Sequence, residues 1–214
     1  MGSIDYKKLY ELQDKVLKVV FETENEFYLT GGTCISRFYV EKRYSDDLDF
    51  FTNQSARYSF AIKNIKRALQ SKFELAVEVE SKDFTRFKID DLLQLDFIND
   101  IAFRYKDVIL NENNYLLDNI ENILSNKLTA VIGRDNPKDI FDTFLICKFY
   151  TFDWKDILES AHKKASFSDE ELIIRLKSFP HEMLQEIKII DKTFLDDFEI
   201  EFPHIIDNII KIDG

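Results

Sequence analysis

Apolar residues recur at intervals of three and four near the start of the chain, between residues 5 and 22. This spacing places them on one face of an α-helix, which is the pattern of a helix packed against a core. The apolar positions are Leu9, Leu12, Val16, Val19 and Val20. Residues 34–40 and 55–71 are also predicted to be helical.

Strands are predicted between and after these helices. Residues 27–30 form a short apolar run that ends at a pair of glycines, which favours a buried strand. Residues 47–51 alternate acidic and apolar side chains, as expected for a strand with one solvated face. Three further strands are predicted at residues 73–79, 85–89 and 92–98.

The pattern becomes helical after about residue 110. An apolar stripe from Ile120 to Val131 predicts a helix that ends at Gly133, and Asn136 followed by Pro137 predicts the start of the next one. Asp153 and Ser168 are predicted to begin two more helices. The predicted fold class is therefore α+β, with a mixed αβ core over residues 1–110 and a helical region over residues 111–214.

Composition supports a folded protein and limits its partners. The chain has 214 residues, of which 45% are hydrophobic and 20 are Phe, and this is enough for a substantial core. A net charge of −11 argues against a surface that binds nucleic acid throughout, although a local basic pocket is compatible with it. Two cysteines, no signal-peptide pattern and no long apolar run predict a cytoplasmic protein that does not bind membranes.

The acidic strand carries the first candidate site. Side chains two positions apart on a strand point to the same face, so Asp47 and Asp49 lie side by side while Leu48 and Phe50 enter the core. Neighbouring carboxylates repel each other unless a cation or water separates them. Their oxygen atoms favour Mg²⁺ or Mn²⁺ as the cation.

Asp96 is a third candidate ligand, because it is an isolated acid within the apolar strand LLQLDFI. If the two acidic strands are neighbours, three carboxylates converge and could hold two metal ions about 3.5–4 Å apart. That arrangement assists phosphoryl and nucleotidyl transfer because it contacts both the attacking and the leaving oxygen atoms.

The glycine pair precedes the acidic strand. Gly31, Gly32 and Thr33 follow the first predicted strand and begin a helix, where free backbone N–H groups and a hydroxyl can bind phosphate. A phosphate-binding turn close to metal-binding aspartates is the combination that a nucleoside triphosphate with Mg²⁺ requires.

The string GGT…RFY…RYSDDLDFF resembles the signature of the nucleotidyltransferase superfamily, and in particular of the AbiEii/AbiGii toxin-like family. A second block, NKLTAVIGRDNPKDIFD, is similar to another conserved segment of that family. The resemblance implies a nucleotidyltransferase-like mixed sheet, with the helical domain completing the nucleotide pocket. It also implies that Gly31, Gly32 and Thr33 bind the triphosphate and that Asp47, Asp49 and Asp96 are catalytic metal ligands. The residues implied for the nucleotide pocket are Lys127 (also catalytic), Arg134, Lys138 and Asp139.

The activity implied by this resemblance is the transfer of a nucleoside monophosphate from an NTP, such as ATP, to an acceptor hydroxyl. The acceptor would be an RNA end, such as that of tRNA, or a protein. The family further implies a toxin of a toxin–antitoxin or phage-defence pair, with an antitoxin as a possible protein partner.

Alternatives remain open from the residues themselves. Asp47 and Asp49 could form a solvated strand face, Asp96 could be a capping or salt-bridged acid, and Lys127 could extend its charge to solvent along an apolar stripe. Asp139 could simply stabilise a helix start. The alternative function is a non-catalytic nucleotide- or protein-binding module on the same scaffold. An aspartyl phosphohydrolase is disfavoured because Thr52 falls one position late for its motif.

Overall fold

The computed structural model describes residues 4–213, and its contacts divide the chain into two compact units. The first unit contains the described residues up to Cys34 together with Ser45–Ile101 and Val108–Asp118. The second contains Ile35–Tyr44, Ala102–Asp107 and the chain from Asn119 onward. The predicted boundary near residue 110 lies within the last segment of the first unit.

A seven-stranded mixed sheet forms the centre of the first unit, in the order β3-β4-β5-β2-β1-β7-β6. The strands are β1 (Tyr28–Thr30), β2 (Asp47–Asn53), β3 (Leu75–Glu80), β4 (Phe84–Ile89), β5 (Leu93–Asp100), β6 (Ile109–Leu110) and β7 (Leu116–Leu117). Strand β2 runs parallel to β5 and antiparallel to β1. The central position of β2 therefore gives its side chains neighbours on both sides.

Helices α1 (Tyr6–Thr23) and α3 (Tyr58–Gln70) cover one face of this sheet, and the short helix α2 (Gly31–Cys34) follows β1. The core beneath α1 and α3 is rich in aromatic rings: Phe50 stacks on Phe97 at 4.9 Å between centroids, and Phe27 meets Phe97 edge-on at 5.1 Å. The buried hydroxyl of Tyr58 donates to the Phe97 carbonyl at 2.9 Å. These contacts hold β2 and β5 together under the helices.

The second unit is helical. Its helices are α4 (Ile120–Gly133), α5 (Pro137–Phe149), α6 (Trp154–Lys164), α7 (Asp169–Lys177) and α8 (Thr193–Asp213), with a π-helical turn at Ile35–Tyr39 and a 3-10 helix at His181–Glu186. Helix α4 packs against α5, α6 and α7, and α8 packs against α5, α6 and α7. Among residues 4–213, no helix is long and apolar enough to cross a membrane.

The predicted α+β class, with helices in the second half, is confirmed. Asn136, Asp153 and Ser168 begin helices as predicted, because the side chain of each accepts a hydrogen bond from a backbone N–H in the first turn. The sequence did not predict β6 and β7, since two-residue strands carry too little pattern to detect.

Candidate active site

Strand β2 presents its two aspartates as the alternation predicts. Leu48 and Phe50 are fully buried, whereas Asp47 and Asp49 are half-exposed on the opposite face of the sheet from α1 and α3. Both carboxylates therefore lie on the face that α1 and α3 do not cover. Strand β2 does not lie at the edge of the sheet, because it pairs with β1 on one side and with β5 on the other.

The glycine turn lies against this pair. Gly31 has a φ of +70°, in the left-handed region that side chains rarely adopt. A Cβ atom built on Gly31 would clash with Oδ2 of Asp49 and would lie 3.3 Å from its Cγ. Glycine is therefore required here for two reasons, the backbone conformation and the close approach of the carboxylate.

Thr33 links the glycine turn to the acidic strand. Its side chain is buried, and its hydroxyl donates a hydrogen bond to the backbone carbonyl of Asp47. This bond fixes the position of α2 relative to the first residue of β2. The hydroxyl thus has a structural role in addition to the phosphate contact predicted for it.

A buried acid that the sequence analysis missed secures the other side of the turn. Asp118 accepts a hydrogen bond from the Thr30 hydroxyl at 2.7 Å, and its backbone N–H donates to the Leu29 carbonyl at 2.8 Å. Thr30 is the last residue of β1, so these bonds anchor the strand immediately before Gly31. No pattern in the sequence connects positions 30 and 118, which come together only because β7 pairs with β1.

Asp96 lies beside Asp49, as predicted. Strands β2 and β5 pair in parallel with Asp49 opposite Asp96, so the two side chains share one face of the sheet. Asp96 is bound by a residue that was not predicted: Arg86 of β4 donates from Nε to Oδ1 and from Nη2 to Oδ2, each at 2.7 Å. This is the salt-bridged alternative that the sequence left open, and the metal-binding role of Asp96 stays a prediction.

Arg86 could have been found from the strand pattern. In the predicted strand at residues 85–89, Thr85, Phe87 and Ile89 alternate with Arg86 and Lys88, so both basic side chains lie on the face opposite the core. The missing information was the register that sets Arg86 opposite Asp96. The ion pair with Asp96 is the largest influence on Arg86, and it raises the pKa of the guanidinium, as do the nearby negative charges of Glu78 and Asp49.

The donor chemistry of the site fits a divalent cation in part. Asp47 and Asp49 offer the carboxylate oxygen atoms that Mg²⁺ and Mn²⁺ prefer. Within residues 4–213, however, no three His, Cys, Asp or Glu side chains are grouped in a way that could hold a metal ion. Asp96, the third predicted ligand, is paired with Arg86, and the metal-binding roles of all three aspartates stay predictions.

The remaining predicted residues lie in the second unit, where Lys127 is part of a buried ionic cluster. Its Nζ lies 2.8 Å from Asp139 Oδ1 and 2.8 Å from Asp142 Oδ2. Arg43 binds Asp142 through Nε at 2.6 Å and Nη2 at 2.7 Å. Lys127 does not extend to solvent, because its side chain is only 10% exposed.

In this cluster the ion pairs outweigh burial in setting the direction of the pKa shifts. Burial alone would raise the pKa of the Asp142 and Asp139 carboxyls, but Arg43 and Lys127 around Asp142, and Lys127 and Arg134 around Asp139, hold both pKa values below the ordinary value. Burial alone would also lower the pKa of Lys127, and the two aspartates raise it instead. All members of the cluster are therefore charged at neutral pH.

Arg134 and Lys138 are the most accessible of the predicted nucleotide-pocket residues. Arg134 follows α4 and binds Asp139 Oδ2 from Nε at 2.7 Å, while its side chain remains 60% exposed. Lys138 lies half-buried in the first turn of α5. Gly133 ends α4, as predicted, but without a left-handed conformation.

A double-glycine turn beside paired aspartates on a mixed sheet, with a helical region following, defines the nucleotidyltransferase class of fold. A family model described as "Nucleotidyl transferase AbiEii toxin, Type IV TA system" matches residues 17–208. The chain belongs to this AbiEii nucleotidyltransferase toxin family, which confirms the resemblance found in the sequence.

Individual proteins resemble this chain in sequence or in fold. The uncharacterized protein aq_aa25 of Aquifex aeolicus (strain VF5) is 26% identical over 190 residues, which cover 85% of this chain and 87% of that protein. A putative nucleotidyltransferase from H. pylori has a similar fold, with a TM-score of 0.62 and 21% identity over 98% of this chain and 96% of that one. MenT4, the nucleotidyltransferase toxin Rv2826c from Mycobacterium tuberculosis H37Rv, gives a TM-score of 0.51 at 17% identity, covering 73% of this chain and 63% of its own.

Proposed function

We propose that this protein is a metal-dependent nucleotidyltransferase that moves a nucleoside monophosphate from an NTP to an acceptor hydroxyl on an RNA end or a protein. The observation that carries the proposal is the packing of the Asp49 carboxylate against Gly31, with Asp47 on the same open face of the sheet. Family membership and the fold of the solved relatives support the transferase class.

In this proposal the residues of the first unit have separate tasks. Asp47 and Asp49 hold a divalent cation, Mg²⁺ or Mn²⁺, and the backbone of Gly31 and Gly32 leaves room for the triphosphate. The cation, when bound, would neutralise charge on the phosphates and on the pyrophosphate that leaves. Asp96 accepts a hydrogen bond from the acceptor hydroxyl and orients it.

The basic residues of the second unit divide into two groups in the same proposal. Arg134 and Lys138, which are less buried than Lys127 and Asp139, contact the nucleotide. Lys127 and Asp139 position them: Asp139 holds Arg134 by two hydrogen bonds, and Lys127 neutralises Asp139 from the buried side. The catalytic role that the family resemblance gives to Lys127 is retained here as an indirect one.

The toxin role is a further part of the proposal. An AbiEii-type protein would act in a toxin–antitoxin pair, with the antitoxin as its functional partner. Its growth inhibition would then depend on transfer activity. Expression of the wild type should arrest growth, and expression of Asp49→Asn should not.

The decisive experiment measures NTP binding and label transfer together. Each α-³²P-labelled NTP is incubated with the protein, Mg²⁺ and either total RNA or cell protein, and nuclease or protease treatment identifies the labelled acceptor. We expect Asp47→Asn and Asp49→Asn to lower transfer roughly 100-fold or more, because each removes a carboxylate charge that holds the divalent cation in this proposal.

Asp91→Asn is the matched control. Asp91 is an exposed turn residue of the same unit with a φ of 50°, a conformation that asparagine also tolerates. It should transfer label as the wild type does. Equal transfer and equal NTP binding in all four proteins would contradict the proposal. Tight nucleotide binding with no transfer to any acceptor would favour the non-catalytic binding module instead.

A further inference from the structure

Both oxygen atoms of Asp96 accept hydrogen bonds from the protein itself. Arg86 forms two parallel hydrogen bonds to them, at 2.7 Å each, and Nε2 of Gln94 approaches Oδ2 at 3.3 Å. The pair is only partly open to solvent, with side-chain exposures of 33% for Arg86 and 10% for Asp96. A bidentate pair of an arginine and a carboxylate is both short and geometrically fixed.

This ion pair lies directly beside the proposed metal ligands. Asp49 is the register partner of Asp96 on one side, and Arg86 is its partner on the other. The three side chains therefore form a row across β2, β5 and β4 on one face of the sheet. Arg86 is also close enough to Asp49 for the charge of that carboxylate to stabilise the guanidinium.

A second metal ion would need the place that the guanidinium holds. A pair of ions about 3.5–4 Å apart would have to be shared between Asp49 and Asp96. The guanidinium is a fixed positive charge at this position. Cation binding to Asp96 would weaken both hydrogen bonds and place two positive groups side by side.

We infer that Arg86 is a positioning residue that withholds Asp96 from metal binding, so that the site takes a single divalent cation at Asp47 and Asp49. This inference rests on the proposed function, because it concerns the cation that the transfer would use. Arg86 then supplies the fixed positive charge that a second ion would otherwise provide, and its two hydrogen bonds fix the orientation of the Asp96 carboxylate.

The test counts bound Mn²⁺ by electron paramagnetic resonance, with Mn²⁺ alone as the probe. For the wild type we expect about one Mn²⁺ per chain, with the spectrum of an isolated ion. For Arg86→Met, which keeps the length of the aliphatic stem, we expect a second Mn²⁺ and the broadened spectrum of two ions about 3.5–4 Å apart. Arg86→Met/Asp96→Asn should return to one ion.

Lys88→Met is the matched control for charge alone. Lys88 lies two residues along β4 on the same face as Arg86, and no ion pair with Asp96 involves it. It should bind one ion, as the wild type does; a second ion in this variant would contradict the specific role of the Arg86 pair. Arg86→Lys keeps the positive charge but not the paired hydrogen bonds, and it serves as a second variant in case Arg86→Met does not fold. It should bind more than one ion at high Mn²⁺ concentration.

Two results separate failure of this inference from failure of the proposed function. A wild type that binds two coupled ions, and loses one of them in Asp96→Asn, would overturn the role of Arg86 and leave the transferase proposal intact. A wild type that binds no Mn²⁺, or whose binding is unchanged by Asp49→Asn, would overturn both.

Discussion

The carboxylate of Asp49 and the backbone of Gly31 are in direct contact: no side-chain atom can be added at Gly31 without displacing Asp49. The two residues are neighbours in space because Thr30, the last residue of β1 and the one before Gly31, pairs with Asp49 of β2. The glycine turn and the acidic strand are therefore one structural unit, and a change in either must be felt by the other.

The first prediction follows from this contact. Gly31→Ala should destabilise the protein by about 1–2 kcal/mol, because alanine is strained at a positive φ, and it should also displace Asp49. We expect weaker Mn²⁺ and NTP binding in this variant even at temperatures where it is fully folded. Urea unfolding and metal titration of the same preparations provide the measurement.

The control is the same substitution at Gly133. This glycine lies in the last turn of α4 with nothing within 4 Å of an added Cβ. Gly133→Ala should leave ligand binding unchanged and should be neutral or stabilising by up to about 1 kcal/mol, because alanine is the better helix former. Equal losses of binding in the two variants would mean that the contact with Asp49 is unimportant.

A second prediction tests the contribution of the Thr33 hydroxyl separately from that of the side chain's shape. Thr33→Val removes the hydrogen bond to the partly buried Asp47 carbonyl and leaves that oxygen atom without this donor. We expect a loss of about 1–3 kcal/mol in the free energy of unfolding. Thr33→Ser keeps the hydroxyl, so it should retain most of the stability and nearly all of the NTP affinity. If valine and serine behave alike in both measurements, the hydrogen bond has no role.

The local sequence pattern of the acidic strand was enough to predict which face each of its side chains lies on. The alternation at residues 47–51 predicted which side chains are buried, and the structure confirms it for Leu48 and Phe50. The two aspartates could be placed on one face because the period of a strand is fixed by its geometry.

Side chains that meet through strand register or helix packing could not be found in this way. Arg86 contacts Asp96 because β4 and β5 pair in one particular register, and Thr30 contacts Asp118 across a separation of 88 residues. Lys127 shows the same limit: its position on an apolar stripe was recognised, but its partner Asp142 depends on how α4 packs against α5. Pairings of this kind are set by tertiary structure.

A third prediction concerns the buried pair of Arg43 and Asp142. Arg43→Met leaves a buried carboxylate with one of its two cationic partners, which should cost about 3–5 kcal/mol. The double variant Arg43→Met/Asp142→Leu should recover part of that loss, because it also removes the charge that would be left behind. Urea unfolding monitored by circular dichroism measures both.

Lys8→Met provides the comparison with an exposed ion pair. Lys8 and Asp5 are 3.8 Å apart with most of both side chains in solvent, so the loss should stay below about 1 kcal/mol. If Lys8→Met and Arg43→Met lower the free energy of unfolding by similar amounts, burial does not govern the contribution of the Arg43–Asp142 pair.

The last prediction is the pH dependence of this cluster. Asp139 and Asp142 have pKa values below the ordinary 3.8 in the folded protein, so their stabilisation is complete above about pH 4 and is lost as the pH falls through the folded values. Lys127 has a raised pKa, so its stabilisation is lost only as the pH rises above 10.5. The contribution of this cluster to the free energy of unfolding should therefore be constant between about pH 4 and pH 10.5. Asp139→Asn should be less stable than the wild type at pH 7, and the difference should shrink below pH 4. A constant difference for Asp139→Asn from pH 7 to pH 3 would mean that its charge does not stabilise the fold.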